Sequence, residues 1–121
     1  MENLILVVDD EIGVREAICT FLEIEGLNAI EAKSGREALA IIKSNKKIKF
    51  IISDVRMPDG DGVFLIDELR KLDPILPFII LVSGQADITR EEAISKGALD
   101  MFIKPPNMEK IIELIKTSFS I

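Results

Sequence analysis

Four short, largely apolar runs, each cut off by polar residues, limit most strongly what this chain can become. They are Leu4 to Val8 before Asp9-Asp10, Ile48 to Ser53 before Asp54, Phe78 to Val82 before Ser83-Gly84, and Leu99 to Ile103 before Lys104-Pro105-Pro106. Each has the length of a β-strand. Runs that are apolar at successive positions suit strands covered on both faces, as in a parallel sheet. Leu27 to Ala32 reads as a weaker strand of the same kind.

The segments between them carry helical spacing. Val14, Ile18, Phe21 and Leu22 recur at three and four residues, with Arg15, Glu16 and Glu23 on the other face and Gly26 as the stop. Ser34 is positioned as an N-cap, and Glu37 three residues later completes a capping box ahead of Ala38, Leu39, Ile41 and Ile42. Asp61 caps a third helix carrying Val63, Leu65, Ile66 and Leu69, and Pro74 and Pro77 bracket the turn after it. A fourth helix is expected over 87–96, closed by Gly97, with Ile88, Ala93 and Ile94 as its apolar side. Asn107 caps a fifth, with Ile111, Ile112, Leu114 and Ile115. Strands alternating with helices predict an α/β fold, a parallel sheet with right-handed crossovers and helices on both faces.

Composition narrows the function. At 121 residues the chain is expected to be one domain, 1–121, with no second domain after the last helix. Net charge is −6, and no basic run exceeds Lys46-Lys47, which argues against direct contact with nucleic acid or an anionic membrane. No apolar stretch reaches the length of a membrane span, and an acid at Glu2 stands where a signal peptide carries a base. With no His and one Cys, Cys19, a transition-metal site is not expected, and a reducing, cytoplasmic setting fits. A hard cation on carboxylates remains compatible with this composition.

In an open parallel sheet, ligands bind beyond the carboxyl ends of the strands, where strand order reverses. Asp9, Asp10, Asp54, Ser83 and Lys104 all stand at such ends. Taken singly, each has an ordinary reading: Asp9-Asp10 as a helix cap, Asp54 as a turn former, Ser83-Gly84 as a loop. Whether they converge depends on strand order. If they do, three carboxylates repel one another and call for a divalent cation, for which Mg2+ with oxygen ligands is the natural choice. Asp54 would then be a carboxylate nucleophile for phosphoryl transfer, with Lys104 and the Ser83 hydroxyl reaching phosphate oxygens.

Val8-Asp9-Asp10, Asp54 followed by Met57-Pro58-Asp59 and Gly62, Val82-Ser83-Gly84, Gly97-Ala98 and Lys104-Pro105, in that order, resemble the receiver domain of bacterial two-component response regulators. The resemblance covers the whole chain. It implies a flavodoxin-like (βα)5 fold, a five-stranded sheet in the order 2-1-3-4-5. It implies phosphorylation of Asp54 by a sensor histidine kinase, a phosphotransfer protein or a small phosphodonor. Mg2+ would be held by Asp10, Asp54 and the backbone carbonyl of Arg56, with Asp9 reached mainly through water. Ser83 and Lys104 would contact the phosphoryl group, and the Lys104-Pro105 bond would be cis.

Such a domain is no conventional enzyme, although it catalyses its own phosphorylation and dephosphorylation. Its output would pass through the face of the fourth helix, fifth strand and fifth helix to a phosphorylation-dependent homodimer, a downstream effector protein or an effector domain outside this chain. Two departures from the family pattern stand out. Met101 occupies the place usually held by Tyr or Phe, so the candidate switch pair is Ser83 and Met101, while Phe102 points to the opposite face as core. Pro106 replaces a bulky apolar residue. Arg56 and Gln85 flank the phosphate position. Arg56 also argues against an aspartyl phosphatase, which needs an acid two residues after its nucleophile. The absence of Trp and Tyr argues against a flavin binder. An interaction module without phosphorylation is disfavoured because every expected site residue is present.

Overall fold

The structure is a computed structural model that describes residues 3–84 and 88–120. Gln85 and the expected start of the fourth helix at Asp87 lie outside the described residues. Strands and helices alternate as β1 (Leu4–Val8), α1 (Ile12–Ile24), β2 (Asn28–Ala32), α2 (Gly35–Ser44), β3 (Ile48–Asp54), α3 (Gly62–Leu72), β4 (Phe78–Ser83), α4 (Arg90–Lys96), β5 (Asp100–Ile103) and α5 (Met108–Ser118). The sheet is parallel in the order β2-β1-β3-β4-β5, as the resemblance implied.

Alternation along each strand sends neighbouring side chains to opposite faces. Leu6, Val8, Ile51, Ile79 and Leu81 pack with α2, α3 and α4, whereas Ile5, Val7, Phe50, Ile52, Ile80 and Val82 pack with α1 and α5. The two apolar layers flank a sheet whose β1, β3 and β4 are buried almost throughout. Met101 and Phe102 fall on opposite faces, Phe102 on the α1–α5 side as expected.

Helix ends follow local chemistry. The side chains of Asp61 and Asn107 accept from the N–H groups of Phe64 and Lys110. Gly26 and Gly97 end α1 and α4 with φ of +79° and +115°, a region that L side chains rarely adopt. Ser34 accepts from Glu37 N–H, but the Glu37 carboxylate accepts from Lys33 N–H, one residue before the position a capping box would use. The full capping box belongs to α4, between Thr89 and Glu92, so that helix starts at Arg90 and Ile88 precedes it. Ile88 is still buried, but Ile94 and Phe21, both expected in apolar stripes, are 41% and 44% exposed. Both lie at the margin of a stripe that the sheet does not reach. Two X-Pro bonds are cis, Lys104-Pro105 and Leu76-Pro77, and sequence reasoning anticipated only the first.

Candidate functional site

Four strand ends meet because β1 and β3 are neighbours and β3 is followed by β4 and β5. The ladder pairs Val8 with Ser53 and Asp54 with Val82, which brings the residues after β1 beside Asp54. One carboxylate oxygen from each of Asp9, Asp10 and Asp54 lies within 4.8 Å of the others. Asp9 and Asp54 are buried, and Asp10 is exposed. Lys104, at the end of β5, places Nζ 3.0 Å from Asp54 Oδ2 and 3.6 Å from Asp9 Oδ2. Its own N–H donates to the Ser83 carbonyl at 2.8 Å, tying β5 to β4 at this rim. A cleft of about 280 Å³ is lined by Asp10, Glu11, Asp54, Arg56, Ser83, Gly84 and Lys104. Every predicted site residue except Met101 and Asp9 therefore lines one opening, and Asp9 sits just behind it. Met101 lies apart, packed against the cluster that contains Ala93 of α4.

Electrostatics match the crowding. Desolvation raises the Asp9 pKa above its usual 3.8, and the carboxylates of Asp54 and Asp10 add to this against the opposing Glu11 N–H and Lys104. The folded state therefore holds the Asp9 proton more tightly than the unfolded chain. Its contribution to stability falls as pH rises from 3.8 through the raised folded value, and at neutral pH the charge is a net cost. The Asp9→Asn variant keeps an acceptor for Glu11 N–H, so a higher melting temperature at pH 7 without divalent cations is expected. Thermal melts in chelator check this, and a lower melting temperature would contradict it. Burial disfavours the Lys104 ammonium, but the hydrogen bond and charge of Asp54, with Asp9 behind, outweigh it and hold the pKa above 10.5. The stabilisation from that pair is thus present at neutral pH and lost only as pH rises through the raised value.

The donors are hard oxygens, and mutually repelling carboxylates in a partly dry cleft fit a small divalent cation. Asp9, Asp10 and Asp54 each offer a carboxylate oxygen close enough to the others to hold one.

The loop after Asp54 is held by the start of α2. Gly35 and Arg36 at the start of α2 donate to the carbonyls of Gly60 and Asp59 at 2.7 and 3.2 Å. Asp59 takes a left-handed φ of 61°, and its carboxylate receives Arg36 Nε at 3.3 Å. Sequence reasoning missed this brace. It also missed Ser53, buried beside Asp54, whose hydroxyl donates to the Asp54 carbonyl at 2.9 Å.

Arg15 is a correction. Helical periodicity placed it on the solvent face of α1, yet its side chain is only 13% exposed. Its Nη1 donates to the Asp9 carbonyl at 2.7 Å, and its Nε to Glu31 of β2 at 3.0 Å. No local pattern signals this, because it arises where α1 crosses the end of β2.

Comparison with known proteins agrees with this geometry. The sequence model of the family described as response regulator receiver domain matches residues 5–116. The transcriptional regulatory protein ZraR of Salmonella typhimurium is 33% identical over 116 residues, covering 96% of this chain and 26% of that protein. The CpxR homolog of Haemophilus influenzae is 37% identical over 112 residues, covering 93% of this chain and 48% of that protein. The chain thus spans about a quarter to a half of the length of these relatives. Among solved structures, a response regulator receiver protein from Pseudomonas putida superposes with TM-score 0.88 at 32% identity, covering 97% of this chain and 98% of that one. The beryllofluoride-activated NtrC4 receiver domain dimer does so with TM-score 0.86 at 37% identity, covering 98% and 97%. Receiver domains are signalling modules rather than conventional enzymes. With its fold, its acidic rim and its sequence all in agreement, this chain belongs to the response regulator receiver domain family.

Proposed function

We propose that residues 1–121 act as one phosphoacceptor switch of a cytoplasmic two-component phosphorelay, with Asp54 as the acceptor. The reading rests above all on one observation: three carboxylates converge within 4.8 Å, and a lysine ammonium sits 3.0 Å from the middle one. An Asp54 carboxylate oxygen forms the new O–P bond. The N–P bond of a donor phosphohistidine breaks, and the imidazole keeps the electron pair. Mg2+ would be held by Asp10, Asp54 and the Arg56 carbonyl, with Asp9 behind, and would supply charge neutralisation for this transfer. Lys104 moves its hydrogen bond from Asp54 to a phosphoryl oxygen, and the Ser83 hydroxyl donates to another. The same groups position water for the later hydrolysis.

The donor would be a sensor histidine kinase or a phosphotransfer protein. A groove of about 560 Å³ supports this, running from Asp54 and Lys104 between α1 and α5 and lined by Val14, Ile18, Phe21, Pro106 and Met108. Half-exposed Phe21 and the open space beside Gly13 suit docking of another protein's helix. With magnesium and acetyl phosphate, the intact mass is expected to rise by a single phosphate, and with chelator it should not change. Uptake that ignores magnesium would count against the reading.

Output would pass through α4, β5 and α5 to a homodimer, an effector protein or an effector domain beyond this chain. The dimeric state of the activated NtrC4 receiver supports the first of these. Three charges of this face are engaged within the chain: Arg90 and Asp100 pair with each other, and Lys96 pairs with Asp67 of α3 at 3.7 Å. Seating of phosphate would draw in Ser83, and Met101, on the same side of the sheet as α4, would follow it. Beryllofluoride with magnesium should shift the amide resonances of α4, β5 and α5. Unchanged resonances together with an unchanged oligomeric state would refute this route.

A further inference from the structure

We propose that Arg15 is a positioning residue for the cation site, acting through the peptide plane that leads into Asp10. This inference rests on the reading of the acidic rim as a Mg2+ site. The ladder between β1 and its neighbours ends at Val8, paired with Ala32 on one side and Ser53 on the other. Beyond it, Asp9 N–H still donates to the Ala32 carbonyl at 3.1 Å. Among the described residues no strand N–H donates to the Asp9 carbonyl, and it is there that Arg15 Nη1 donates at 2.7 Å.

A trans peptide is planar, so fixing the Asp9 carbonyl also fixes the N–H and Cα of Asp10. Asp10 is exposed, so burial does little to aim its carboxylate. Its direction is inherited from that plane. On the other side of Asp9, Glu11 N–H donates to Asp9 Oδ1 at 2.9 Å, closing a short turn that holds the second carboxylate. Arg15 therefore anchors the one ligand that the turn alone leaves unaimed.

The anchor is itself anchored. Glu31 on β2 receives Arg15 Nε at 3.0 Å and balances its charge. The guanidinium thus brings geometry to the rim without adding net repulsion toward a cation. Its planar fork serves both partners at once, which a lysine ammonium on a flexible stem reproduces only in part. Groups that orient metal ligands from behind typically change affinity by about 10- to 100-fold when removed.

The test is calorimetric titration of the full chain with MgCl2, at a temperature where thermal melts in chelator show each protein folded. Arg15→Met is expected to weaken Mg2+ binding about 10-fold. Arg15→Lys should recover part of that loss. Glu31→Gln, a milder change on a half-exposed side chain, should weaken binding by a smaller factor and keeps the test decisive if Arg15→Met does not fold. A purely structural arginine would lower the melting temperature and leave the affinity of folded protein alone. Binding by Arg15→Met or Glu31→Gln within twofold of wild type would overturn the proposal while the Mg2+ reading stands. Failure of the wild type to bind Mg2+ would remove both, through the reading on which the proposal rests.

Discussion

The Asp54→Asn variant is expected to take up no phosphate from acetyl phosphate, a loss on the order of a thousandfold or more in rate. The amide is nearly isosteric, so the site keeps its shape. What disappears is the nucleophile: an amide oxygen lacks the charge needed to attack phosphorus, and no second acid stands in the same place. Asp9 is buried with Lys104 Nζ 3.6 Å away, and Asp10 is solvent-exposed, both on another strand end. Neither has a lysine at 3.0 Å ready to pass to a phosphoryl oxygen, as Asp54 does. The variant should remain folded, because removing one of three crowded negative charges relieves repulsion even as it weakens the Lys104 hydrogen bond. Intact-mass measurement reads the result, with thermal melting as the check on folding. Phosphate uptake at the wild-type rate by a folded Asp54→Asn protein would mean that the acceptor lies elsewhere.

Gly62→Ala is expected to damage fold and site together. A Cβ at Gly62 would stand 2.5 Å from the Asp54 backbone oxygen, 3.0 Å from Leu81 Cδ2 and 3.2 Å from Val55 Cα. The backbone it meets has little freedom to give way. Val55 N–H donates to the Val82 carbonyl at 3.1 Å, and Gly62 N–H donates to the Val55 carbonyl at 2.8 Å. Either α3 retreats, or the end of β3 shifts with Asp54 on it. Overpacking of this kind costs about 1–3 kcal/mol. Displacing a reacting group by about 1 Å can cost about 100-fold in rate. A lower urea midpoint and slower phosphorylation should therefore appear in the same variant. Gly13→Ala is the control, since nothing lies within 4 Å of a Cβ there and its backbone is helical. It should be neutral or stabilising by about 0.5 kcal/mol. Equal stability of Gly62→Ala and wild type would show that the close approach of α3 to β3 is not needed.

The elements were legible because their causes are local. Leu4 to Val8 is an unbroken apolar run and forms a strand of the same bounds, while Asp61 and Asn107 cap where a short acceptor side chain precedes an amphipathic segment. The start of α4 was readable too, in Thr89 followed by Glu92, but a search for apolar spacing overlooks a helix with one buried residue. Strand order is set by contacts distant in sequence, so the convergence of Asp9, Asp10, Asp54 and Lys104 was implied by family resemblance and not by periodicity. Features made by two distant elements were not legible at all. The inward turn of Arg15, the brace from Gly35 and Arg36 to the loop after β3, and the exposure of Phe21 all depend on where one helix crosses another segment. These features surround the site and hold it, whereas the candidate site residues themselves stand at strand ends that an apolar run announces.

The most direct measurement is to locate the phosphoryl group. Protein phosphorylated with acetyl phosphate and magnesium is reduced with borohydride, which converts an acyl phosphate to an alcohol, and the peptides are sequenced by mass spectrometry. Homoserine at position 54 and at no other aspartate is the predicted result. Homoserine at Asp9, Asp10 or Asp59, or phosphate retained on a hydroxyl side chain, would contradict the assignment of Asp54 as the acceptor.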